Sequence, residues 1–223
     1  MRRAYLTHTS VQPSVLRMVD AAGRLGELGA ATLGESGAHR MRNRLRAVWP
    51  GARVAAPAFC VSCAPGDNLG VHVGVTVAPA GSVLVVSVGG VQELGYWGEV
   101  LTTAAESRDL VGLVIDGCVR DVDALEAHGF PVFSTGIALP GATKDQPAEV
   151  GGTATVGDVE VRTGDWIVGD RDGVVVIRAA ELDAVIDAGQ AREAKEAGFF
   201  EALRGGSTTV ELLGLDASLV TGR

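Results

Sequence analysis

Three observations predict an α/β fold with a parallel βαβ core and an antiparallel second part. Val83 to Val88 (VLVVSV) is a nearly continuous β-branched run, the pattern of a strand buried on both faces. A second apolar run closes LVGLVI, from Leu110 to Ile115, after a helical-looking segment, and such alternation belongs to parallel sheets with right-handed crossovers. Beyond Val150 the pattern changes to VGGTATV, VEV, DWIVG and GVVVI, short strands separated by Gly-Asp turns, as in antiparallel hairpins.

The elements follow in order. From Pro13 to about Leu28, Val15, Leu16, Val19, Ala22 and Leu25 recur at helical spacing, with Pro13 near the start, where a missing N–H costs least. Arg53 to Cys63 reads as a strand, and Pro65-Gly66-Asp67-Asn68 as a turn. Leu69 to Val77, rich in Val and Gly, suits helix or strand. Pro79-Ala80-Gly81 turns the chain into the Val83–Val88 strand, and after Gly89-Gly90 the segment Gly95 to Arg108 (GYWGEVLTTAAESR) is expected to be helical. Leu110 to Ile115 is a strand, Asp121 to His128 a short helix stopped by Gly129, and Pro131-Val132-Phe133 another strand. A last helix with a charged outer face is expected over Ala179 to Ala197, opening a helical tail from about 179 to 223.

The 223 residues suffice for one sizeable core, and no linker or compositional shift divides them, so a single domain over 1–223 is expected. Hydrophobic residues make up 47% of the chain but aromatics only 4%, and 31 glycines imply tight turns and close helix packing. No apolar run reaches the roughly 18 to 20 residues a bilayer span needs, and the opening MRRAYLTHTSVQP lacks the apolar stretch of a signal peptide. A cytoplasmic protein without membrane contact is expected. A formal net charge of −8 argues against nucleic acid as a partner, and Arg40, Arg42, Arg44 and Arg46 in HRMRNRLR read as a solvated segment rather than an RNA site. Cys60, Cys63 and Cys118 form an odd set that suits a reducing compartment. Cys60 and Cys63 lie three apart on a predicted strand and so face opposite sides, which favours structural cysteines over a zinc or redox pair.

In open α/β sheets ligands bind beyond the carboxyl ends of parallel strands. Two loops there are rich in chemistry: Gly89 to Glu99, whose glycines let backbone amides approach a ligand, and Asp116-Gly117-Cys118-Val119-Arg120-Asp121. An arginine presents a planar fork to a carboxylate, and an aspartate is a hard oxygen ligand for a divalent cation, so Arg120 and Asp121 together suit a metal-bound oxoacid. The alternative is a surface ion pair with Asp121 as the N-cap of the following helix. Glu99 opens the previous helix after Gly98 and brings a second carboxylate to the same sheet end, able to orient a water or take its proton.

GEVLTTAAESRDLVGLVIDGCVRDVDALEAHGFPVFSTGIALPGATKD, with VRTGDWIVGDRDGVVVI further on, resembles the RraA-like family, and the similarity runs from about Arg53 to Ile177. That family includes 4-hydroxy-4-methyl-2-oxoglutarate aldolases, oxaloacetate decarboxylases and the regulator of ribonuclease E activity. The resemblance implies an α/β/β/α sandwich of phosphohistidine-swivelling-domain type and a class II pyruvate aldolase or decarboxylase site: an acid, twenty intervening residues, then Arg-Asp. Here these are Glu99, Val100 to Val119, and Arg120-Asp121. Arg120 is then expected to clamp the pyruvyl moiety and Asp121 to ligate Mg²⁺ or Mn²⁺, with Glu99 reaching the metal through water. Gly98 and the amides of Val100 and Leu101 are expected to meet the substrate. The aldolases usually carry Asp at the position of Glu99. The extra methylene moves the carboxylate by roughly 1 to 1.5 Å, and misplacement on that scale can cost about a hundredfold in rate.

The resemblance also implies a homotrimer or hexamer in which a neighbour's C-terminal acid, Glu193 or Glu196, completes the site. Asp67 and Asn68 border the site or only form their turn. Asp170 is placed as support for the site or, with Asp172, as a turn residue, and Lys144 lies near the cleft or in solvent. His72 and His128 read as ordinary. The rival reading from another class is a non-catalytic protein that binds and regulates a ribonuclease; a third is a related lyase with a specialised substrate.

Overall fold

The computed structural model describes residues 13–42 and 44–221. Met1 to Gln12, which carry nearly all of the opening segment read against a signal peptide, lie outside the described residues, and so does the side chain of Val15. Helix α1 (Pro13–Gly34) leads through two short strands, β1 (His39–Arg40) and β2 (Arg46–Ala47), to the long strand β3 (Val54–Cys63). Then come α2 (Leu69–Val77), β4 (Val83–Ser87), α3 (Glu99–Glu106), β5 (Gly112–Ile115), β6 (Cys118–Val119), α4 (Val122–His128) and β7 (Val132–Ser134). The chain continues with β8 (Gly136–Ile137), β9 (Ala148–Val150), β10 (Thr153–Val156), β11 (Val159–Arg162), β12 (Trp166–Gly169) and β13 (Val174–Ile177), and ends in α5 (Leu182–Arg204) and α6 (Thr209–Leu213).

Among the described residues a nine-stranded mixed sheet runs β1-β13-β12-β3-β4-β5-β7-β2, with β9 also paired to the end of β3. Strands β3, β4, β5 and β7 are mutually parallel, so the βαβ core expected from the apolar runs is present. Strands β12 and β13 pair antiparallel beside it, and β10 and β11 form a separate hairpin. Helices α2, α3 and α4 cover one face through Val71, Val75, Leu101, Ala105 and Leu125. The hairpin covers the other face through Ala154, Val156 and Val161. Helices α1 and α5 pack on β12 and β13 through Leu25, Leu28, Leu33, Val185 and Ile186. Cys60 joins the hairpin-side core and Cys63 the helix-side core, as alternation along a strand requires. Both thiols are free and buried, and burial pushes each up to about 11, so they stay protonated and inert.

The ambiguous segment Leu69–Val77 is a helix, and its glycines explain why. Gly70 and Gly74 are four apart and lie against the sheet; a Cβ on Gly70 would sit 2.6 Å from Ala148 Cβ, and one on Gly74 2.7 Å from Val61 Cγ2. A β-branched helix therefore packs closer to β3 than any side chain there would allow. The helix expected from Gly95 begins only at Glu99. Gly95 N–H donates to Pro140 O (2.7 Å) and Tyr96 N–H to Cys118 O (3.1 Å), so this stretch lies extended between two loops instead. Helix α1 continues to Gly34 but breaks at Gly29, whose φ of 72° a glycine adopts freely. The last helix starts at Leu182 behind a single 3₁₀ turn and runs to Arg204, longer than expected.

The HRMRNRLR arginines are tied down. Arg40 pairs with Glu35, Arg42 with Asp158, and Arg44 with Asp116, while Arg46 donates to Asp172 O. No helix among the described residues is long and apolar enough to cross a membrane.

Overpacking an interior costs about 1–3 kcal/mol. Gly74→Val is therefore expected to destabilise the fold by that amount, seen as a lowered urea midpoint at unchanged slope.

Candidate functional site

The loops after β3, β4, β5 and β7 leave the parallel strands at one edge, and the chemistry-bearing residues collect there. The first turn of α3 is the focal point. The first N–H groups of any helix have no intrahelical partner. Here Glu99 N–H donates to Asp121 Oδ2 at 3.0 Å. The carbonyls immediately upstream are already taken, since Arg120 N–H donates to Trp97 O (2.9 Å) and Asn68 Nδ2 to Tyr96 O (2.8 Å). The amides of Val100 and Leu101 stand beside Glu99 in this turn, and the side chain of Val100 is 80% exposed.

Asp121 occupies the N-cap position of α4, but its side chain makes no capping bond to that helix. Its backbone is left-handed (φ 58°, ψ 38°), which turns the carboxylate across to α3. Left-handed geometry costs roughly 1–2 kcal/mol for a residue with a Cβ, less for Asp than for most. A hydrogen bond to a charged group contributes about 1.5–3 kcal/mol, so the cross-helix bond holds the strained conformer. Gly98 makes room for it: any Cβ there would collide with Asp121 Oδ2 and sit 3.1 Å from Arg120 Cγ.

Arg120 lies beside Asp121, with Nε 3.8 Å from Oδ2. Both side chains are about half exposed and line a cavity of about 230 Å³ with Asn68, His72, Gly98 and Lys144. Buried Tyr96 and Trp97 also line it. Trp97 stacks on Phe130 (6.0 Å, 12°) and donates Nε1–H to Thr102 Oγ1 at 2.7 Å, and Tyr96 Oη donates to Val91 O. These two aromatics were not singled out from the sequence; adjacent aromatics flanked by Gly95 and Gly98 were the available signal.

The part of the lining that carries Asn68 and Lys144 depends on Asp67, which is 1% exposed. Its Oδ1 accepts from Leu69 N–H (2.8 Å); its Oδ2 accepts from Thr143 Oγ1 (2.7 Å), Asp145 N–H (2.7 Å) and Gln146 N–H (3.2 Å). Burial alone would raise this carboxyl, but the donated hydrogen bonds outweigh it and hold it down to about 2. Asp67 thus fastens the loop that carries Lys144 to the turn that carries Asn68.

Other expected residues land elsewhere. Glu99 supplies its backbone to the site, but its side chain does not line the cavity; Oε1 lies 3.7 Å from His128 Nε2, whose Nδ1 meets Glu106 at 2.8 Å. His128, read as ordinary, therefore sits beside an expected catalytic residue. Asp170 accepts from Ala30 N–H (2.8 Å) and Asp172 N–H (2.9 Å), capping the helix segment after the Gly29 break rather than supporting the cleft. Asp116 is clamped by Arg44 (2.8 Å) and Gln92 (2.7 Å) and locks loops together. Glu193 and Glu196 lie on α5, where Glu196 pairs with Arg192 at 2.8 Å.

Among the described residues, no group of three or more His, Cys, Asp or Glu is gathered to hold a metal ion. Asp121 brings one carboxylate to the cavity. One carboxylate with water and substrate oxygens is a ligand set that Mg²⁺ accepts, because it dehydrates reluctantly, so the residues present fit such an ion.

A family model described as RraA-like, Aldolase/RraA, matches residues 18–176. A Halalkalibacterium halodurans protein carrying the provisional name 4-hydroxy-4-methyl-2-oxoglutarate aldolase is 32% identical over 144 residues, spanning 65% of this chain and 69% of that one. The structure of an uncharacterized protein from Pseudomonas syringae pv. tomato superposes with a TM-score of 0.69 at 26% identity, covering 92% of this chain and 99% of that one. The RNA-processing inhibitor RraA from Thermus thermophilus superposes with a TM-score of 0.60 at 24% identity, covering 66% and 92%, and shares the fold.

The loop lock predicts a pH dependence. The Asp67 carboxyl titrates near 2 in the folded chain, below the roughly 4 of a free aspartate. Its contribution is therefore fully present above about pH 4 and lost only as pH falls through about 2. Amide exchange should find Asp145 and Gln146 protected at about pH 4, and Asp67→Ala should remove that protection without unfolding the sheet.

Proposed function

The chain belongs to the RraA-like family, and from that premise we propose that it is a carbon–carbon lyase of the class II pyruvate aldolase and decarboxylase type. Its substrates would be 2-oxoacids of the 4-hydroxy-4-methyl-2-oxoglutarate kind, together with oxaloacetate, cleaved to pyruvate. The observation that supports this best is the meeting of the Arg120 guanidinium, the Asp121 carboxylate and the first turn of α3 at one cavity.

Each group has a role that its chemistry suits. Asp121 is the residue to hold Mg²⁺ or Mn²⁺, which when bound would supply positive charge to polarise the 2-keto group. Arg120 offers its planar fork to the carboxylate of the pyruvyl moiety and fixes its orientation. In the aldol cleavage the water that Glu99 would hold takes the proton of the C4 hydroxyl, that oxygen's electrons form the new carbonyl of the released fragment, and the C3–C4 electron pair moves toward the keto oxygen, giving a pyruvate enolate that is then protonated at C3. The amides of Val100 and Leu101, with the positive end of the α3 dipole, stabilise the charge that develops on the keto oxygen. Loss of CO₂ from oxaloacetate leaves the same enolate, so one site serves both reactions. Glu99, rotated away from His128, would hold a water next to Asp121. Its added methylene lets it lean on His128 instead, which favours slow turnover.

The resemblance further supports a cytoplasmic homotrimer or hexamer in which a neighbour contributes Glu193 or Glu196. The buried residues of α5 are Val185, Ile186 and Gly189, all in its first half, while Phe200, Leu213 and Leu219 beyond them are exposed.

The test is pyruvate release from oxaloacetate, coupled to NADH oxidation by lactate dehydrogenase, with Mg²⁺ and with EDTA, after subtraction of the metal-only rate. EDTA is expected to abolish turnover, and Arg120→Ala or Asp121→Ala to lower it by about 10²–10³-fold or more with the fold intact. A fully active Asp121→Ala protein would sink the proposal, and absence of chelator-sensitive turnover would favour a binding protein. Glu99→Asp, which removes the methylene and the His128 contact, is expected to raise kcat by up to about tenfold.

A further inference from the structure

Three of the four arginines in HRMRNRLR are matched by an acid: Arg40 by Glu35, Arg42 by Asp158 and Arg44 by Asp116. Arg46 is the exception. It donates from Nη1 to the carbonyl of Asp172 at 3.0 Å, and no carboxylate pairs with it among the described residues. Arg171, beside that carbonyl in the turn between β12 and β13, has no carboxylate partner among them either, and both arginines are exposed. The two line one cavity of about 290 Å³ with Trp49 and Pro50.

Acids outnumber Lys and Arg by 27 to 19 in this chain, so a pair of guanidinium groups without an acid runs against the overall balance. Like charges brought together repel. The acids flanking Arg171 do not relieve this, because Asp170 is taken by the Ala30 and Asp172 amides, and Asp172 lines a separate cavity with Glu35 and Arg40. Trp49 is held in place by donation from Nε1 to Phe130 O at 2.9 Å and by packing against the helix-side core, while remaining half-buried. The cavity shares no lining residue with the one at Arg120 and Asp121. Trp49 reaches the residue before the short strand β7, and Arg171 follows Gly169, which pairs with the first residue of β3. Both therefore lie toward the amino ends of the parallel strands, away from the loops that carry Arg120 and Asp121.

We propose that Arg46 and Arg171, beside Trp49, form a second binding site that takes a phosphate group. A phosphate monoester carries about −1.5 to −2 charges at pH 7 and three acceptor oxygens, which suits two guanidinium groups better than the single charge of one carboxylate. Planar guanidinium forks bind phosphate through paired N–H donors. Trp49 and Pro50 give the cavity an apolar side against which the organic part of a phosphate monoester can rest. Free phosphate and a phosphate monoester share the chemistry that the arginines recognise.

The test titrates adenosine monophosphate, inorganic phosphate, adenosine and acetate into the full-length protein at constant ionic strength without Mg²⁺, following tryptophan emission. Trp97 and Trp166 are 1% and 6% exposed, so half-buried Trp49 is the indole placed to respond. Saturable changes are expected with both phosphates and not with adenosine or acetate. Tighter binding of the monoester would identify an organic phosphate as the ligand, and equal binding would identify free phosphate; either outcome supports the site. Arg171→Ala removes a side chain that makes no hydrogen bond or ion pair among the described residues, and it is expected to weaken phosphate binding at least about tenfold with the fold intact. Arg46→Gln should do the same, and if that variant fails to fold, Arg171→Ala alone decides. Arg120→Ala, in the other cavity, should leave phosphate binding within about twofold. No saturable response to either phosphate, an equal response to acetate or adenosine, unchanged affinity in Arg171→Ala, or loss of binding in Arg120→Ala would overturn the proposal.

Discussion

The bond from Glu99 N–H to the Asp121 carboxylate is the constraint on which the site depends. It joins the first turn of α3 to the loop after β5, two segments that leave adjacent parallel strands. It requires a left-handed aspartate and a glycine at position 98, and both are present. With it in place, Asp121 cannot cap its own helix, Arg120 is set beside the cavity, and the amides of Val100 and Leu101 stand at its edge. The same interaction directs the Asp121 carboxylate at the terminus of a neighbouring helix rather than at its own.

Carboxylates do similar fastening elsewhere. Asp67 ties the Lys144 loop to the Asn68 turn, Asp116 joins Arg44 and Gln92, Asp165 accepts from Arg162 N–H and Arg178, and Asp170 caps α1 beyond its break. Each brings separate segments together through backbone or side-chain donors, so these four acids are structural. Close-packed glycines complement them, letting α2 approach β3 and leaving space for the Asp121 carboxylate. Loop-borne chemistry on a rigid parallel sheet is the general arrangement by which such folds hold a site.

Glu99 shows how one methylene separates backbone from side-chain roles. Its amide is held by Asp121, while its carboxylate lies near His128, itself fixed by Glu106. The side chain at position 99 is one methylene longer than an aspartate's, and it reaches toward His128.

The sequence alone determined the parallel core, because VLVVSV and LVGLVI must be buried wherever they lie, and the hairpin half, because Gly-Asp turns recur between short strands. It also marked Arg120, Asp121 and Glu99, since their spacing after apolar runs places them at one sheet edge. Periodicity did not separate helix from strand at Leu69–Val77, because β-branched residues favour one and the spacing of Gly70 and Gly74 permits the other. Contact with Val61 and Ala148 made the choice. Tertiary structure alone also decided that α3 begins at Glu99, that Asp121 reaches across to it, and that Glu99 leans toward His128. These facts depend on which segments of the chain meet in space. Spacing along the chain records local geometry, whereas a hydrogen bond or a collision between residues twenty or more positions apart exists only once the sheet has brought their loops to the same edge.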